Sequence, residues 1–260
     1  MHHQEFDPPD ALRDLIRCFW HNRRDHEAGP SSFDVMPDGY AEIVFYFGAC
    51  KMACRGMAYA LPSPFMVGLL GQPFTVETEG RLEIIGIRCH PWTVFELLGL
   101  TPEGDAVMPI THAIAGLQAR LAACMALGRI GDALAELERY LLDILPRPRI
   151  DATAARAGMA LREAGGKLPV SQAAAAAHAT VRTLERKFKQ SSGHTVRDVA
   201  GLIRFETARN RLWRDPPPDL AALAQELGYA DQSHLNREFK RYSGTTPAAF
   251  VRQRRRSPSG

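Results

Sequence analysis

Leu184-Glu-Arg-Lys-Phe-Lys-Gln-Ser-Ser-Gly-His-Thr195 is written a second time as Leu235-Asn-Arg-Glu-Phe-Lys-Arg-Tyr-Ser-Gly-Thr-Thr246. Leu, Arg, Phe, Lys, Ser, Gly and Thr coincide, seven of twelve positions at a constant offset of 51. Upstream, Val170-x-x-Ala173-Ala174 answers Leu220-x-x-Leu223-Ala224 at an offset of 50, so the turn between them absorbs one residue. One helix–turn–helix–glycine unit is therefore encoded twice in tandem.

A helical wheel assigns the faces of each second helix. Leu184 and Phe188, four residues apart, share one face and are expected in a core. Arg182 and Arg186 fall on the opposite side with Lys189 beside them, and Glu185 lies at the edge. In the second unit Leu235 and Phe239 point inward, leaving Ser233, Asn236, Arg237 and Lys240 outward. Arginine suits guanine, an amide suits adenine, and a carboxylate can accept from cytosine, so these faces match base edges in a major groove. Solvated faces alone would not require the same pattern in both copies. Thr195 with Asp198, Asp219, and Thr246 before Pro247 supply N-cap oxygens for the helices that follow. Where the second unit turns on Gly228 the first carries His178, at a turn that favours positive φ. Leu223, Leu227 and Tyr229 become Ala173, Ala177 and Ala179, so the first unit is expected to have the thinner core.

Charge agrees with this reading. Residues 1–150 hold 13 basic against 19 acidic side chains, and residues 151–260 hold 19 against 10. A basic second half suits a polyanionic partner. The longest apolar runs, Ile43–Phe47 and Phe65–Leu70, are far short of the ~20 residues a membrane helix needs. The opening MHHQEFDPPD has no basic segment followed by an apolar core, so a cytoplasmic address is expected. Cys18, Cys50, Cys54, Cys89 and Cys124 are an odd, scattered set that argues for reduced thiols. No cofactor is expected.

The second half resembles the AraC/XylS family of transcription regulators. Ala224-Gln-Glu-Leu-Gly-Tyr-Ala-Asp-Gln-Ser-His-Leu235-x-Arg-x-Phe-Lys240, then Gly244 and Pro247, follow that signature. Thr180-x-Arg-x-Leu-x-Arg-x-Phe188 matches in the first unit, and Arg204-x-x-x-Ala208-x-x-x-Leu212 resembles the long joining helix. The resemblance implies that both second helices enter successive major-groove segments about one helical turn, ~34 Å, apart. It implies base readers Arg182, Glu185 and Arg186 in the first unit, and Gln232, Ser233, Asn236 and Arg237 in the second. Thr180, Lys189, Lys240 and Arg241 are then expected on phosphates, where contacts position without specifying sequence.

The first half reads as a β-rich domain of six to eight strands with flanking helices, which makes the whole chain α+β. Ala41–Phe47, Phe74–Glu77 and Leu82–Arg88 are strand-like, separated by signals such as Pro37-Asp38-Gly39 and Glu79-Gly80. PPDALRDLIRCFW predicts a helix, with Leu12, Leu15, Ile16 and Phe19 at helical spacing. Two amphipathic helices are predicted over 114–127 and 132–145, the second carrying Leu134, Leu137, Leu141 and Ile144. That stripe suits either pairing with a second copy or packing on the strands. Pro146-Arg-Pro-Arg149 marks the boundary between domains 1–146 and 151–256. The first half also resembles, more loosely, the sensor region of one AraC-like subgroup. Tyr40, Phe45, Phe47, Phe74, Arg88 and Trp92 are candidates to line an effector pocket, each with an ordinary core role as the alternative. The expected partners are double-stranded DNA, a small-molecule effector, a second copy, and RNA polymerase if the chain activates. A competing class is an enzyme or a cysteine- or metal-based sensor fused to DNA-binding helices. His21, His26, His90 and His112 are scattered, however, with no metal spacing or nucleophile elbow.

Overall fold

Stretches rich in β-branched and aromatic residues in the first half pair into one antiparallel sheet. In the computed structural model, which describes residues 2–54, 57–100, 107–145, 152–215 and 219–256, the strands are β1 (His2–Phe6), β2 (Ile16–Val35), β3 (Ala41–Cys54), β4 (Met57–Ala60), β5 (Phe65–Val67), β6 (Phe74–Cys89) and β7 (Val107–Pro109). Their order is β1-β2-β6-β3-β5-β7, with β4 on β3. β6 runs between β2 and β3, paired to both along its length, and its segment Leu82–Ile87 is buried throughout. Burial on both faces explains why that run has no polar alternation.

Two local expectations are corrected. The Glu79-Gly80 signal is no turn between strands but an irregularity inside β6, with Gly80 at φ +68°. The partner strands shift register opposite it, between Asp25 and Pro30 and between Phe47 and Ala49, so the sheet bends there without ending. The helix predicted over the Pro-Pro-Asp segment is a single 3-10 turn, Asp10–Leu12, after which the chain extends into β2. Leu12, Leu15, Ile16 and Phe19 are buried as expected, but Cys18, Trp20, His21 and Asn22 are buried too. A strand with neighbours on both edges and both faces covered produces the same apolar spacing as a helix face.

After α1 (Val94–Leu97) come a 3-10 segment (Ala113–Leu117), α2 (Gln118–Ala126) and α3 (Ile130–Ile144), close to the predicted bounds. Leu121, Met125, Leu134, Leu137 and Leu141 join Phe19, Phe45, Ile85 and Ile87 in one core. The α3 stripe is thus turned into this shared core beside α2 and the two 3-10 segments, and of its leucines Leu137 and Leu141 are 0% and 1% exposed. They are not available to a second copy.

The remaining helices are α4 (Ala152–Glu163), α5 (Val170–Ala176), α6 (Val181–Ser192), α7 (Val196–Arg214), α8 (Leu220–Glu226), α9 (Gln232–Ser243) and α10 (Pro247–Arg256). The boundary segment Pro146–Arg149 lies outside the described residues. By its contacts the chain separates into two units. One holds Met1–Val35, Tyr40–Gly68 and Phe74–Asp151; the other holds Met36–Gly39, Leu69–Pro73 and Ala152–Gly260.

Candidate nucleic-acid interface

Each helix–turn–helix unit is built by the same local rules. Thr180 caps α6 by accepting from the Thr183 N–H at 3.1 Å, and Asp231 caps α9 by accepting from the His234 N–H at 2.6 Å. Both helices stop at a left-handed glycine, Gly193 at φ +74° and Gly244 at φ +73°. The turns that precede them are equally alike: His178 at φ +52° stands where the second unit has Gly228 at +76°. The positive φ expected from the match of His178 to Gly228 is thus present.

The long helix α7 is the common support. Thr195 and Asp198 form a reciprocal capping box at its start. Phe205 on α7 meets Phe239 and Tyr242 of α9 at 5.0 and 5.2 Å between ring centres, and Phe239 also meets Phe250 of α10 at 5.5 Å. Arg204 reaches Glu238 on α9 at 3.2 Å and also donates to the Gly166 carbonyl at 3.2 Å. Both members of that ion pair are largely buried, so it ties α9 to α7 in a fixed orientation. Burial pushes the Tyr229 and Tyr242 hydroxyls up, which keeps these rings neutral. Arg204 and Glu238 were not foreseen as supports. The signal that could have found them is an Arg in the α7 pattern and a Glu beside the inward Phe239.

The wheel assignments hold where burial can be read. Leu184, Phe188, Leu235 and Phe239 are each 0% exposed. Thr180, Arg182, Arg186 and Lys189 are exposed in the first unit, as are Gln232, Ser233, Arg237, Lys240 and Arg241 in the second. Arg186 donates to Gln190 at 3.1 Å and Lys189 to the Gly193 carbonyl at 2.7 Å, while Arg241 lies over the Tyr242 ring. Glu185 and Asn236 differ from this set, being only partly exposed. Glu185 accepts from the Val196 N–H at 3.2 Å, whereas the Asn236 Oδ1 is buried with no hydrogen-bond partner among the described residues.

Of the six candidate pocket residues of the first half, Tyr40, Arg88 and Trp92 come together around His90, and Phe45, Phe47 and Phe74 lie apart from them. Phe45 is wholly buried and Phe47 partly so, both in the core under α2 and α3. Phe74 is half-buried at the start of β6. Tyr40 and Trp92 instead flank His90, with Trp92 stacked on it at 5.2 Å, and Arg88 over the Tyr40 ring pairs with Glu42 at 2.9 Å and Glu5 at 3.2 Å. A pocket of about 430 Å³ lies elsewhere, lined by His2, His21, Arg23, Asp25, Arg81, Glu83, Met125, Gly128 and Ile130. Its wall pairs Arg81 with Glu83 at 2.7 Å. His21 is 2% exposed, neither ring nitrogen has a hydrogen-bond partner among the described residues, and burial lowers its pKa against the opposing pull of Glu83. His21 had been noted only as one of several scattered histidines.

Comparison with known proteins places these features. Residues 173–253 match a family described as "Helix-turn-helix domain", and residues 4–104 match a "Domain of unknown function (DUF6597)". The HTH-type transcriptional regulator RipA of Corynebacterium diphtheriae is 34% identical over 73 residues, 28% of this chain. The chain spans about a fifth (21%) of that relative's length. Among solved structures, ToxT from Vibrio cholerae has a TM-score of 0.47 at 11% identity, covering 90% of this chain and 97% of that one. The DNA-binding domain of AdpA in complex with a target DNA has a TM-score of 0.38 at 27% identity, covering 43% of this chain and 100% of that one. Residues 173–253 thus form a helix–turn–helix domain of the AraC type, joined in this chain to a domain of the DUF6597 family over residues 4–104.

Proposed function

We propose that the chain is a transcription regulator that binds duplex DNA sequence-specifically through α6 and α9. The observation that carries this is the duplication of one device. Two helices with equivalent side-chain caps (Thr180 and Asp231), the same closing glycine, the same inward Leu–Phe pair and the same outward arginine rest on a common α7. Arg186 and Arg237 are the readers of guanine, with Arg182, Gln232 and Ser233 beside them. Thr180, Lys189, Lys240 and Arg241 serve the phosphates and fix the register. The partner is double-stranded DNA, joined by RNA polymerase if the chain activates. The N-terminal domain controls this activity, and for a small-molecule effector it offers the pocket floored by His21 and Glu83. None of the described helices is long and apolar enough to cross a membrane.

Fluorescence anisotropy of the full chain on a labelled duplex tests the reading. Affinity should fall linearly on a log–log plot as salt rises, because each neutralised phosphate releases counterions. A chain that ignores duplex DNA at low salt would overturn it.

A further inference from the structure

The two units treat one matched position in opposite ways. Glu185 and Asn236 precede the shared arginine at the common offset of 51, and Val196 and Pro247, which open the next helices, are matched at the same offset. Val196 is 0% exposed, and its N–H is one of the donors that a helix start leaves without an intrahelical partner. Glu185 supplies the acceptor at 3.2 Å. Pro247 has no N–H to satisfy. Asn236 accordingly has nothing to cap, and its Oδ1 lies buried without a partner among the described residues.

We infer that Asn236 is a specificity-determining reader of an adenine, and that Glu185 is a positioning residue that braces α6 against α7 and reads nothing. This rests on the DNA-binding reading above. A buried amide oxygen with no partner gains one by turning toward a base, where an amide can both accept from adenine N6 and donate to N7. Glu185 would have to abandon Val196 to reach a cytosine, and a buried donor would then be left unpaired. The first unit therefore reads through arginines alone. The second adds an amide because proline in the following helix released it.

The test is selection of duplexes from a random pool by the full chain and its variants, together with hydrogen exchange at the Val196 amide without DNA. Asn236→Ala should lose an adenine preference at one base pair, a discrimination of about 5- to 150-fold, and bind random duplex as the parent does. The double variant Asn236→Glu/Pro247→Val, which writes the first unit's brace into the second, should lose the same preference. Glu185→Gln keeps an acceptor and should leave the selected sequence and Val196 protection unchanged. Glu185→Ala should expose the Val196 amide and weaken all sequences by a common factor. A Glu185→Ala chain that relaxes a single C·G pair, or an Asn236→Ala chain that selects the parental sequence, overturns the assignment. If the parent selects no sequence, the DNA-binding reading fails and Asn236 with it, while Val196 exchange still decides the brace.

Discussion

Replacing Leu161 by Ala should loosen the first unit and leave the second intact. In α5 and the turn after it the first unit carries Ala173, Ala177 and Ala179, whereas the matched positions of the second unit carry Leu223, Leu227 and Tyr229 at 1%, 5% and 4% exposure. The missing bulk is supplied from outside the repeat, since α4 packs on α5, α6 and α7. Leu161 on α4 is 0% exposed. A buried Leu→Ala change costs about 2–5 kcal/mol through lost transfer energy and the cavity left behind. At 1.4 kcal/mol per tenfold, that is about 30-fold to several thousand-fold more frequent opening. α9 takes its contacts from α7, α8 and α10, none of which is α4. Amide hydrogen exchange on the full chain, resolved to α6 and α9, reads both outcomes. In the parent α6 should already exchange faster than α9, and in Leu161→Ala only α6 should accelerate by that factor. Equal protection in the parent, with a loss shared evenly in the variant, would refute the division of the core.

Arg186→Ala and Arg237→Ala should each cost about 1–3 kcal/mol on a preferred operator and much less on random duplex; equal losses in a binding titration would mean that both arginines touch phosphate only. His178→Gly should raise stability by about 1 kcal/mol, since the side chain is exposed and φ is +52°; a lower denaturation midpoint would show that the imidazole makes a contact worth more than the strain. Burial raises Cys18 and Cys50 from an ordinary 9.0 to about 11, so both stay protonated at pH 7 and should alkylate slowly in the native chain. The same shift means that the unfolded chain loses these protons first, so stability should decline as pH rises from about 9 towards 11 in urea titrations; rapid native labelling of either thiol, or a flat profile there, would contradict their burial.

The helical half was legible because its signals are local. Caps such as Thr195 with Asp198, stops at Gly193 and Gly244, and inward pairs four residues apart all act within one or two turns. The duplication then made each copy a check on the other, and even the positive φ at His178 could be read against Gly228. The division between Glu185 and Asn236 was hidden because it depends on Val196 and Pro247, eleven residues further on and across a turn. The sheet was legible in kind and strand number, but not in detail. Phe19 looked like part of a helix because partners on both sides of β2 bury successive residues and erase the period of two. Gly80 looked like a turn because the same residue type serves a bend inside a strand. The pocket around His21 gathers residues from β1, β2, β6 and the α2–α3 region, a grouping that no spacing in the chain announces.

Two matched helices that read DNA should leave a matched pair of footprints in methylation interference on a duplex selected by the full chain. Two clusters of guanine N7 positions at which methylation blocks binding are expected, on one face of the duplex and about one helical turn, ~34 Å, apart. One cluster should disappear in Arg186→Ala and the other in Arg237→Ala. A single cluster, or binding indifferent to methylation throughout the major groove, would contradict reading by both helices.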